Sequence, residues 1–136
     1  IREVKKHIDP ANIVIIDVSP GTSCPVVEAV KDSDFCLLVT EPTPFGLNDL
    51  SLAVEVTRKL GIPCGVVINR VEAGDEKVEH YCHEQGIPIL LKIPLDRKIA
   101  ELYSNGIPLI EGMPEWHKAF LELFQQIQQN ARVKAV

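Results

Sequence analysis

Apolar residues follow two different rhythms along this chain. Four short runs are continuous: Asn12–Asp17 (NIVIID), Phe35–Thr40 (FCLLVT), Cys64–Asn69 (CGVVIN) and Ile89–Ile93 (ILLKI). Unbroken aliphatic runs of this length predict strands buried on both faces. The intervening segments space their apolar residues three and four apart. Leu47, Leu50, Val54 and Leu60 mark one helical face, Val78, Tyr81 and Cys82 a shorter one, and Ile99, Leu102 and Tyr103 a third. A last helix, from about Glu115 to Gln129, places Trp116, Phe120, Leu123, Phe124 and Ile127 on one stripe. Strands alternating with helices over short connections imply right-handed crossovers. The expected fold is α/β: three layers, with a mainly parallel sheet and flanking helices.

The tripeptide Gly-Ile-Pro recurs at 61–63, 86–88 and 106–108 and punctuates this alternation. Glycine takes the left-handed conformation that ends a helix, isoleucine packs back on the last turn, and proline forbids continuation. A strand follows the first two copies; a loop, Leu109–Pro114, is expected after the third.

Composition narrows the function classes. The 136 residues are 46% hydrophobic but only 5% aromatic, which suits an aliphatic core. No apolar run approaches the roughly 18 residues that span a bilayer, and charged residues from Arg2 to Lys6 open the chain. A net charge of −5, scattered rather than blocked, attracts neither nucleic acid nor an anionic membrane. Cys24, Cys36, Cys64 and Cys82 form no CxxC pair and are expected as free, buried thiols in a reducing cytoplasm. His80 and His83, with Cys82 between them, have a spacing that can bind metal, but solvent-facing histidines near a helix end are the commoner arrangement. His7 and His117 read as surface groups. The last helix carries Glu and Gln on its polar face rather than the Lys and Arg of a membrane-surface helix, so packing on the sheet is expected.

Ligands in parallel sheets bind at the carboxyl ends of the strands. The first run ends in Asp17, followed by Val18-Ser19-Pro20-Gly21. A carboxylate closing an aliphatic run suits a cation or its water shell, or else a local cap. Gly21 lets the backbone approach a ligand, and Pro25 suits the first turn of a helix. Glu41 follows the second run, where it can face a ligand or partner or simply be solvated. Asn69 ends the third run with an amide that matches a purine edge, and Arg70 can stack on a base. Pro94, followed by Leu95 and Asp96, gives the fourth a rigid apolar edge.

These four ends, in this order, resemble the MinD/ParA/Mrp class of P-loop ATPases, especially MinD-superfamily members with a ferredoxin insert. The likeness rests on residues 15–27 (IIDVSPGTSCPVV), Val39-Thr40-Glu41-Pro42-Thr43 with Gly46-Leu47-Asn48-Asp49-Leu50, Gly65-Val66-Val67-Ile68-Asn69-Arg70, and Ile93-Pro94-Leu95-Asp96. The resemblance implies that Asp17 orders Mg²⁺ through water and that Gly21 lies in the segment sensing the γ-phosphate. It implies that Asn69 hydrogen-bonds adenine and that Pro94 lines the base pocket, with Arg70 and Asp96 beside them. It further implies a cytoplasmic ATPase that homodimerises on ATP and is coupled to iron-sulfur or redox chemistry. Two departures qualify this. The 136 residues contain no glycine-rich GK[ST] turn to cradle phosphate, and no ferredoxin insert. The chain is therefore expected to be a single partial domain, the carboxyl-terminal half of a MinD/ParA-like domain, that neither binds ATP tightly nor hydrolyses it alone. A GTPase is the nearest alternative. Asn69-Arg70-Val71-Glu72 loosely echoes Asn-Lys-x-Asp, but Arg and Glu depart from it, and Asp17 to Gly21 is one residue longer than Asp-x-x-Gly. A non-catalytic regulatory module of the same fold is the other.

Overall fold

The computed structural model of the chain describes residues 2–7, 9, 11–21, 23–74 and 76–131. Three strands, β1 (Cys36–Thr40), β2 (Cys64–Val71) and β3 (Ile89–Pro94), form one parallel sheet in the order β1-β2-β3. The helices are α1 (Arg2–Lys5), α2 (Cys24–Val30), α3 (Pro44–Lys59), α4 (Lys77–Gln85), α5 (Arg97–Ser104), α6 (Leu109–Gly112) and α7 (Trp116–Asn130).

Alternation along β2 divides the core into two. Val66 and Ile68 point into a cluster with Leu50 and Val54 of α3 and Val78 and Cys82 of α4. Val67 points the other way, to Leu90 and to Leu123 of α7. The sheet is thus covered on both faces, the expected three-layer α/β arrangement, and its central strand is apolar from Cys64 to Ile68, where both faces are packed. Gly65 keeps this second face open: a β-carbon there would come within 2.7 Å of Leu90 Cδ1.

Local chemistry sets the helix ends. Thr43 caps α3, its hydroxyl accepting from the Gly46 N–H at 2.9 Å, with Pro44 in the first turn and Arg58 and Lys59 favourably placed in the last. Each Gly-Ile-Pro ends its helix as the sequence predicts, with Ile62 and Ile87 buried, whereas Ile107 stays 40% exposed. Gly61, Gly86 and Gly106 have φ of 61°, 64° and 69°. The N–H groups of Ile62, Ile87 and Ile107 reach back to the carbonyls of Thr57, Cys82 and Leu102, at 2.9 Å in each case. That is the left-handed stop that satisfies otherwise orphaned carbonyls. Arg58 then ties α3 to the end of α4 through the Gln85 side chain (2.7 Å) and carbonyl (2.8 Å).

The structure corrects four expectations. Asn12–Asp17 is not a strand; among the described residues its backbone has no ladder partner, and Ile13 and Ile15 are 70% and 88% exposed. A continuous aliphatic run reports a demand for burial, whereas a strand also needs a neighbour for its N–H and C=O groups. Residues 109–112 are a helical turn rather than a loop. Tyr103 lies off the packed stripe of α5 and is exposed. The four cysteines are free, but Cys24 is exposed, Cys36 and Cys64 are half-buried, and only Cys82 is buried.

Burial, and secondarily the neighbouring Cys64, pushes the thiols of Cys36 and Cys82 up to about 11 from an ordinary 9.0. In the unfolded chain these thiols ionise near pH 9, while in the fold they hold their protons to about 11. The stability they contribute is therefore present below pH 9 and lost as pH rises from 9 to 11. Urea midpoints should fall across that window, and fall less in a Cys36→Ala chain.

Candidate functional site

The carboxyl ends of the three strands lie side by side. Thr40 is in register with Ile68, and Val71 with Pro94, while the Leu95 N–H donates to the Val71 carbonyl at 3.0 Å. This edge gathers Glu41, Asn69, Arg70, Pro94 and Asp96. Between Ile68 and Val71 the pairing with β3 slips, so that Asn69 and Arg70 together face the single residue Ile93. Arg70 takes φ 60°, the left-handed region that an L-residue enters at a cost of about 1 kcal/mol or more. Bulges of this kind re-aim side chains. Here the Arg70 guanidinium meets Glu41 Oε1 at 3.3 Å across the strand ends. Glu41, read from sequence as ligand-facing or solvated, is thus Arg70's ion-pair partner.

Asn69 is half-buried just before the bulge, and Pro94 ends β3 exposed to solvent. Asp96 has a structural role: its Oδ1 accepts from the Lys98 N–H at 2.7 Å and caps α5. Asp17 and Gly21 lie on the irregular segment rather than on a strand tip. Asp17 lines a cavity of 120 Å³ with Ile16, Val18, Ser19 and, from α2, Pro25, Val26 and Ala29. No residue of the sheet lines it. Pro25 sits in the first turn of α2, as its position in the sequence predicts. Gly21 has φ 114°, and among the described residues nothing beyond its chain neighbours lies within 4 Å of where a β-carbon would stand.

Sequence reading missed the bulge, the Glu41–Arg70 pair and the tight seat of Gly46. A β-carbon on Gly46 would lie 2.2 Å from the Glu41 carbonyl oxygen and 2.9 Å from Thr40 Oγ1. The motif Thr-Pro-Phe-Gly at the start of a helix was the available signal for that close approach. His80 and His83 are exposed, and His80 Nε2 lies 3.2 Å from Glu84. Among the described residues no three or more His, Cys, Asp or Glu side chains are grouped to hold a metal ion. No helix among them is long and apolar enough to cross a membrane.

No protein-family model matches the chain. An uncharacterized protein of Methanocaldococcus jannaschii is 39% identical over 108 residues, covering 78% of this chain and 37% of that protein. The iron-sulfur cluster carrier protein of Pyrococcus horikoshii is 29% identical over 136 residues, 85% of this chain and 45% of the relative. That of Aquifex aeolicus is 27% identical over 140 residues, 90% and 38%. The chain therefore spans less than half the length of each of these relatives. Over most of its own length it is similar to proteins named iron-sulfur cluster carriers, which agrees with the MinD-class resemblance at the level of the broad family.

Proposed function

We propose that this chain supplies the cation side and the base side of the nucleotide site in a cytoplasmic, homodimeric MinD/ParA-type ATPase that serves iron-sulfur chemistry. The observation that supports it most is the gathering of Asn69, Arg70, Pro94 and Asp96 at one carboxyl edge of a parallel sheet, where such folds bind ligands. In this reading the Asn69 amide pairs with the adenine edge, Arg70 and Pro94 flank the base, and Asp96 borders the pocket while capping α5. Gly21 belongs to the segment that responds to the γ-phosphate.

Asp17 would hold Mg²⁺ through water. An exposed carboxylate with the Ser19 hydroxyl in the same cavity fits Mg²⁺, which keeps several waters and takes one or two carboxylates. It does not fit a cation caged wholly by protein. When bound, Mg²⁺ would offset the charge of the phosphates; the phosphate cradle itself would come from a P-loop outside these 136 residues. The names of the curated relatives are what favour an iron-sulfur role.

Titration with fluorescent ATP and GTP tests the reading. The 136-residue chain should bind neither below micromolar concentration. A longer protein carrying a P-loop ahead of this chain should prefer ATP in a Mg²⁺-dependent manner, and Asp17→Asn should weaken that binding about tenfold, or ~1.4 kcal/mol. Submicromolar ATP binding by the chain alone, a preference for GTP, or indifference to Asp17→Asn would each overturn it.

A further inference from the structure

A second chemically competent cluster lies at the opposite end of the sheet. Cys36 is the first residue of β1 and Cys64 the first of β2, and the two are direct partners in the parallel register. Two residues further on, Leu38 and Val66 are again partners and both pack in the α3–α4 core, as Cys64 does. Side chains two apart on a strand share a face, so the Cys36 and Cys64 thiols stand on the same side of the sheet. Adjacent strands lie about 4.8 Å apart, inside the roughly 4.4–6.8 Å that separates the α-carbons of a disulfide. Both residues are half-buried, whereas Cys82 on α4 is fully covered. Cys24 is exposed on α2.

We infer that Cys36 and Cys64 form an oxidation site, a dithiol that closes into a disulfide clasping the amino ends of β1 and β2. The reaction is exchange with a low-molecular-weight disulfide such as oxidised glutathione. One thiol attacks, forming a mixed disulfide and releasing one glutathione. The second thiol displaces the other glutathione, so the incoming S–S bond is broken, the Cys36–Cys64 bond is formed, and both protons leave on the two glutathione thiols. The register that pairs these residues also sets β1 beside β2 at the far end, where Glu41 meets Arg70. The clasp therefore secures one end of a strand pair whose other end carries the Glu41–Arg70 pair.

The test uses the chain with Cys24→Ser, which removes the exposed thiol. After incubation with oxidised glutathione and trypsin digestion without reductant, residues 32–58 should be found linked to residues 60–70, two hydrogens lighter than their sum. The thermal midpoint should rise by roughly 5 °C and return on adding dithiothreitol. Adding Cys36→Ser should abolish both changes, while adding Cys82→Ser should leave the link in place. A link between 60–70 and 78–92, glutathione left on the separate peptides, or thiols that stay unmodified would each overturn the assignment.

Discussion

Replacing Ile68 by alanine is expected to destabilise the chain by about 4 kcal/mol, measured from urea unfolding curves. Ile68 is 1% exposed and sits on the central strand, so β1 and β3 flank its backbone while α3 and α4 cover its side chain. Its neighbours Leu50, Val54 and Val78 belong to elements fixed elsewhere, and they cannot close in on the carbons lost beyond Cβ. The loss thus combines transfer free energy with a retained cavity. Since domains of this kind are stable by about 5–15 kcal/mol, a single such change removes a large share. Ile68→Val, which deletes one methylene, should cost about 1 kcal/mol. A loss under 1 kcal/mol for Ile68→Ala would mean that this face of the sheet is loosely packed.

Gly46→Ala should cost about 3 kcal/mol, although alanine is the better helix former and the position is only half-buried. The obstacle is backbone: the new methyl would stand 2.2 Å from the Glu41 carbonyl oxygen. Thr40 Oγ1 already donates to the Gly46 carbonyl at 3.0 Å, locking the start of α3 to the end of β1. The first turn of α3 must back away, carrying the residue 41–43 connection with it, and the Glu41–Arg70 pair loses its geometry. Two readouts separate this from ordinary helix destabilisation. The urea midpoint falls, and chemical shifts change at Arg70 on a different strand. Gly46→Ala with a wild-type midpoint would contradict the close approach.

What could be read in advance, and what could not, follows from which interactions leave a trace in residue order. The runs at 35–40, 64–69 and 89–93 became strands because burial on both faces demands continuous aliphatics, and α3, α4 and α7 followed from their stripes. The three Gly-Ile-Pro stops were legible because each is closed by backbone bonds within a few residues. Asn12–Asp17 misled because its composition meets the burial condition without the pairing condition. The close seat of Gly46 depends on where β1 delivers the Glu41 carbonyl, and its one trace in the sequence was the Thr-Pro-Phe-Gly motif at the start of α3. The site was partly legible: Asn69, Arg70, Pro94 and Asp96 do share an edge, but the Asp96 cap and the partnership of Arg70 with Glu41 emerge only in three dimensions.

The extra residue at Asn69-Arg70 has a consequence for parity. Residues three apart on a regular strand point to opposite sides, yet Ile68 and Val71 both pack on the α3–α4 core. The slip resets the count, so the tip of β2 stays right side out. Deleting either Asn69 or Arg70 would therefore do more than remove one side chain. It would return the strand tip to ordinary alternation, with Val71 two residues after Ile68 and still on the α3–α4 side, and would remove the left-handed residue that aims a guanidinium at Glu41.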